Sequence, residues 1–220
     1  MDKKTVVKKA LLAGLIAFLG GCATMAIEPP GGAVKAEMGF PPPGTEWRMK
    51  IVDHEGAVET RAFAVLEESV YQGKQVYRTT DGDDIGIFDK ATGNLIAALQ
   101  GKDLKELFVY SPHEETFSWP LWVGKQWRAS PTAYDRVKGR SGSPIEDFWK
   151  VEAYEDVTVP AGTYKAFRLR STPGKNSRAN HTIWYAPEIK LIVKEVAERT
   201  WGHYRGPGKF VSELIEYLAP

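Results

Sequence analysis

The chain has 220 residues with 29 basic and 28 acidic side chains, for a formal net charge of +1. That balance excludes the strongly basic face of a nucleic-acid binder. Seven Trp, nine Tyr and nine Phe beside 21 Gly and 14 Pro point instead to an aromatic-rich β protein with many turns.

Lys3, Lys4, Lys8 and Lys9 open the chain, offset only by Asp2, and residues 10–21 carry no charge. About a dozen such residues is the length of a signal-peptide h-region, well short of the roughly 20 that a spanning helix needs. The run closes on Gly20 and Gly21, small residues that give a peptidase an uncrowded backbone, and Cys22 follows at once. Leu19-Gly20-Gly21-Cys22 resembles the lipobox of bacterial lipoproteins. The resemblance implies cleavage between Gly21 and Cys22 and a thioether-linked diacylglycerol on Cys22, which becomes the first mature residue. An acyl chain such as palmitate contributes about 0.8 kcal/mol per buried methylene; one chain holds reversibly, and two or three on one residue hold essentially permanently. Ala23 stands where an aspartate would retain an enteric-type lipoprotein at the inner membrane, which implies the periplasmic face of the outer membrane. An ordinary secretory signal with an incidental cysteine is the competing reading. A single cysteine leaves no intramolecular disulfide. Removing the leader's four lysines and Asp2 turns the formal charge from +1 to −2.

Residues 1–21 are thus expected as a signal peptide, 22–44 as a lipidated tether and 45–220 as the folded part. The tether carries Pro29-Pro30-Gly31-Gly32 and Pro41-Pro42-Pro43-Gly44 and little that could build a core. From Thr45 the pattern has period two: Trp47, Met49 and Ile51 alternate with Glu46, Arg48 and Lys50, as in a strand with one face buried. Phe63 with Val65 and Val76 with Tyr77 continue it. Asp81-Gly82 and Thr92-Gly93 supply turn chemistry before Ile85 to Phe88 and after it. Arg128 to Val137 and Ile145 to Tyr154 read as two strands around a Gly/Ser loop that lacks the Walker spacing. Val211, Leu214, Ile215 and Leu218 fit a helical face, but a closing strand suits the rest of the chain better. The fold expected is mainly β: one antiparallel domain, a sandwich or a partly open barrel.

Two phrases in the second half carry a further resemblance. Pro120-Leu121-Trp122-Val123-Gly124-Lys125-Gln126-Trp127 and Val159-Pro160-Ala161-Gly162-Thr163-Tyr164-Lys165-Ala166-Phe167, followed by Trp184-Tyr185-Ala186-Pro187, resemble phrases of uncharacterised TapB-like envelope proteins. They consist of turn and core residues, so the resemblance bears on fold and brings no activity with it.

No metal, cofactor or catalytic motif is spelled out. His54, His113, His181 and His203 lack zinc-site spacing, although folding could bring His181 and His203 together. Asp81, Asp83, Asp84 and Asp89 lack the glycine and closing glutamate of an EF-hand and read as a solvated turn. There is no Gly-x-Ser-x-Gly elbow. Six tryptophans, Trp119, Trp122, Trp127, Trp149, Trp184 and Trp201, could form a binding surface, against the commoner role of core packing. The expectation is a non-enzymatic envelope lipoprotein, attached to the membrane through Cys22, that binds an apolar small molecule or an envelope protein. A structural subunit of an envelope complex is the alternative, and a convergent polar cluster in a cleft would revive a cell-wall or lipid hydrolase. Cys22→Ala is expected to leave the β domain folded and to move the protein from the membrane fraction to the soluble one, as fractionation with immunoblotting would show.

Overall fold

A computed structural model describes residues 28–101, 103–139, 141–201 and 207–220. Gly21, Cys22 and His203 lie outside the described residues. Fifteen strands follow one another: β1 (Glu46–Asp53), β2 (Val58–Val65), β3 (Ser69–Tyr71), β4 (Lys74–Thr80), β5 (Asp84–Asp89), β6 (Leu95–Gln100), β7 (Lys105–Glu114), β8 (Gln126–Ala129), β9 (Thr132–Asp135), β10 (Ser143–Pro144), β11 (Asp147–Val159), β12 (Gly162–Pro173), β13 (Ala179–Ala186), β14 (Leu191–Arg199) and β15 (Gly208–Leu218). All of them join one sheet in the order β10-β9-β7-β6-β5-β4-β2-β1-β15-β14-β13-β12-β11-β8, with β3 paired to β4. Every pairing is antiparallel. The domain is therefore all-β, as the alternation predicts, and the sheet is not closed into a barrel.

Its two end strands belong to one ribbon. Ser143 pairs with Ala133 and Pro144 with Thr132, while Asp147 pairs with Ala129 and Lys150 with Gln126. Between these stretches the Ile145 amide donates to the Pro131 carbonyl at 2.9 Å. All these pairs share a single register, so β8 runs on into β9 and β10 into β11 across a bend at Pro131. Proline cannot donate to a ladder, and its place at the corner fits that deficiency. The β9 half pairs with β7 and the β11 half with β12, which ties the two ends of the sheet together at a corner. The sheet consequently curls. Arg178, just before β13, stands over the ring of Phe108 in β7, 5.5 Å from its centroid, although the two strands are far apart in the sheet order.

Three buried clusters hold this shape. One gathers Leu121, Trp149, Val151, Phe167, Leu169 and Ile183 with Ala36, and a second gathers Met49, Val159, Ala166, Val193 and Leu214. The third gathers Val76, Ile87, Ile96 and Leu99 in the β4–β7 meander. The end of the expected tether is part of the domain. Ala36 forms a bridge with Leu121 and is buried, and the Phe40 ring stacks on Tyr77 with centroids 4.4 Å apart. Gly39 and the proline run are drawn in because Ala36 is buried and Phe40 half-buried, a contribution that the Pro/Gly composition conceals.

Residues 211–218 form the closing strand. The β1–β15 register shifts between Arg48 and Met49, which pair with Glu216 and Leu214, so Ile215 is an extra residue. Phe167 has no exposed surface, whereas Phe148 is 46% exposed. Phe167→Ala should therefore cost about 3–5 kcal/mol and Phe148→Ala no more than about 0.5 kcal/mol, measured by urea unfolding.

Candidate functional site

The curled sheet leaves two neighbouring cavities. The first, of about 380 Å³, is apolar. Trp47 and Met49 of β1, Phe63 of β2 and Phe88 of β5 form one wall, and Tyr185 of β13 with Leu191 and Ile192 of β14 form the opposite one. Two coil segments complete it, Gly39-Phe40-Pro41 and Phe117 with Trp119. The rings brace one another. Trp47 stacks on Phe63 at 5.3 Å, Phe117 on Trp119 at 5.1 Å, and Tyr185 meets Phe117 and Trp119 edge-on at 5.2 and 5.3 Å. Gly86 makes room for Phe88, since a Cβ there would stand 2.6 Å from the Phe88 ring.

Polar bonds fix the coil segments to the sheet. The buried Asn94 side chain accepts from the Phe117 amide at 2.9 Å and donates to the Phe117 carbonyl at 2.8 Å. Trp119 Nε1 donates to the Thr92 carbonyl at 2.8 Å, and the Tyr185 hydroxyl donates to the Gly39 carbonyl at 3.3 Å. Satisfying these buried groups is what permits non-sheet backbone inside the curl.

The second, the polar cavity of about 270 Å³, gathers charged side chains among apolar ones. Glu114 comes from the end of β7, Asp147 and Trp149 from β11, His181 from β13 and Glu195 from β14, with Arg178 at the rim of β13. Bulges place two of these. Tyr185 pairs with Ile192 and Trp184 with Lys194, so Val193 is an extra residue. Without it Ile192 and Glu195 would face opposite sides of the sheet; with it both reach the interior, and both line both cavities. Likewise Leu95 pairs with Glu114 and Ala97 with Val109, so residues 110–113 bulge opposite Ile96.

Within the cluster Glu195 Oε1 lies 2.7 Å from His181 Nδ1, and Ser177 Oγ donates to Asp147 Oδ1 at 2.6 Å. The His181 amide donates to Ser171 Oγ at 2.7 Å. A ladder of rings runs beside it: Trp127 stacks on Trp149 at 6.1 Å, and Trp149 faces the His181 ring at 6.2 Å. Burial pushes Glu114 above the ordinary carboxylate range, and the charges of Asp147 and Glu195 add to that shift against His181 and Arg178. Burial also raises Asp147, against the Ser177 hydrogen bond and the His181 charge. Burial alone would lower His181, but the hydrogen bond it donates to Glu195 and the charges of Glu195, Glu114 and Asp147 outweigh it and raise its pKa. Glu195 occupies Nδ1 of His181, and no hydroxyl is hydrogen-bonded to that imidazole among the described residues.

The six tryptophans singled out from the sequence do not share one surface. Trp119 lines the apolar cavity and Trp149 the polar one, with Trp127 behind it. Trp122 is buried under Lys125, whose ammonium lies 4.6 Å from its ring centroid. Trp184 points to the outer face, where Nε1 donates to Glu155 at 2.9 Å and Lys194 covers the ring. Trp201 is 86% exposed. The rings that do line the apolar cavity beside Trp119, namely Phe40, Trp47, Phe63, Phe88 and Phe117, sit on inward parity or in coil. The alternation at Trp47 and Met49 is the signal that could have found them. Asp81 is taken up by its own turn and by Arg61: Oδ1 accepts from the Asp84 amide at 2.8 Å and Oδ2 lies 3.2 Å from Arg61 Nη1.

No family model matches the chain, and no curated protein matches it. Three solved structures are similar in outline. A candidate lipoprotein of Parabacteroides distasonis ATCC 8503 is 16% identical with a TM-score of 0.38, over 83% of this chain and 99% of its own. A candidate exported protein of YmcC-like fold from Bacteroides fragilis NCTC 9343 is 14% identical with a TM-score of 0.44, over 83% and 99%. The hypothetical lipoprotein YmcC of Escherichia coli K12 is 9% identical with a TM-score of 0.44, over 81% and 86%. At this distance the likenesses carry no functional argument, and the TapB-like resemblance rests on its phrases alone.

The raised pKa of His181 has a measurable sign. Its contribution to stability is complete below the unfolded value of 6.5 and is lost as pH rises through the folded value. The stability difference between the parent and His181→Gln should accordingly be larger near pH 5.5 than near pH 8, read from urea unfolding of both proteins at each pH. A difference that grew with pH would contradict the assignment.

Proposed function

We propose that this chain is a lipid-anchored protein of the cell envelope, held by Cys22 at the periplasmic face of the outer membrane, that binds an apolar small molecule non-covalently inside its β domain. The lysine-rich leader and Leu19-Gly20-Gly21-Cys22 support the address. One observation carries the binding function: an aromatic-lined cavity of about 380 Å³ stands inside the sheet. Ligand sites are concave, mostly apolar and largely pre-formed, with a few placed polar groups. This cavity has that character, with Thr79, Ser212, Lys190 and Glu195 as the polar members among its rings.

Rings that line it also brace one another: Trp47 with Phe63, Phe40 with Phe88, and Tyr185 with Phe117 and Trp119. A neutral naphthalene-type fluorophore should bind to the purified protein with enhanced emission and be displaced by long-chain alcohols. Phe63→Asp puts a carboxylate on the wall opposite Tyr185 and should abolish this binding. A circular-dichroism melt shows whether the variant is folded. Undiminished binding in a folded Phe63→Asp protein would remove the apolar cavity as the site.

A further inference from the structure

The polar cavity holds charges that the protein's own bonds leave unbalanced. Asp147 is met by Ser177 and Glu195 by His181. Glu114 has no hydrogen bond to its carboxyl among the described residues; its side chain is half-buried and lines the cavity. Glu115 also lines the cavity and is answered by the charge of Lys125. Three carboxylates, Glu114, Asp147 and Glu195, then face His181 and Arg178, and Arg178 is drawn to the Phe108 ring.

A buried carboxyl without a partner is costly until it is neutralised or paired with a cation. An anion entering this space would meet Arg178 and His181 but also all three carboxylates. A cation finds at Glu114 a carboxyl that no hydrogen bond meets among the described residues. Because Ile192 and Glu195 line both cavities, a head group held at Glu114 would be next to the apolar chamber.

Resting on the apolar-binding reading above, we propose that the polar cavity is a head-group site and that the ligand is an amphipathic amine. Its ammonium donates to the Glu114 carboxylate, with Asp147 and Glu195 supplying further negative charge. Its hydrocarbon part lies among Trp47, Phe63 and Trp119. Association is reversible and no bond is made or broken.

The test compares octylamine, octanol and octanoate on the purified full chain, read by quenching of Trp47 and Trp119 emission and by displacement of the neutral fluorophore. Octylamine should bind about tenfold more tightly than octanol, the scale of one charge-assisted hydrogen bond, and octanoate more weakly than either. Glu114→Gln should bring octylamine to the level of octanol while leaving octanol unchanged, with a melting temperature no lower than the parent's because a buried carboxyl is removed. Octanoate binding as tightly as octylamine, or an amine preference that survives Glu114→Gln, would overturn the head-group site while leaving the apolar cavity in place. Octylamine binding without octanol binding would support the head-group site and remove the apolar reading. Binding of none of the three would overturn both. The three-ligand series on the parent protein needs no variant to fold.

Discussion

One bent ribbon determines whether this protein has an interior at all. Residues 126–135 run against 143–150 in a single register, and each half of the ribbon is claimed by a different end of the sheet. A flat sheet of this many strands would expose one whole apolar face; twisting strands and a shared corner turn that face inward. The connection of β8 to β9 through Ser130 and Pro131 is therefore the point on which the curl depends. From it follow the approach of β7 to β13, the Arg178–Phe108 contact and the two partly open cavities.

Enclosure makes the interior's chemistry a matter of strand parity, and parity is altered at several places. Val193, Ile215, Glu152 and residues 110–113 are extra residues in their ladders. Each flips the faces of everything beyond it. At Val193 the outcome is a carboxylate, Glu195, on a face that also carries Ile192, and that carboxylate is the one bonded to His181. A residue of this kind cannot be buried by hydrophobic pattern, because pattern would put it outside. It is held by its partner instead.

The same point explains what could be read from the sequence. The β class and the closing strand were legible, because alternation and turn residues are local signals; the two strands expected around the Gly/Ser loop are there but each is broken in two, into β8 and β9 and into β10 and β11. The apolar cavity was half legible: Trp47 and Met49 announce an inward face, but Phe40 lies in a Pro/Gly-rich stretch whose composition says spacer. The polar cluster was not legible. Glu114, Asp147, His181 and Glu195 come from four strands, two of them placed by bulges, and no spacing along the chain links them. Tryptophan count misled in a different way. Trp184 and Trp149 both sit at odd or even positions that alternation should sort, yet they were grouped by residue type and the structure separates them onto opposite faces.

The two coil segments that complete the apolar cavity, 39–41 and 117–119, contribute nothing to the ladders that build the sheet. This part of the lining is thus separable from the frame. Substitutions at Phe40, Pro41, Phe117 or Trp119 can reshape what the cavity accepts while the strand registers stay as they are, provided Asn94 keeps its grip on Phe117. A protein arranged in this way can change its ligand without renegotiating its fold, as antibody domains do with their loops, except that here the variable surface is turned inward.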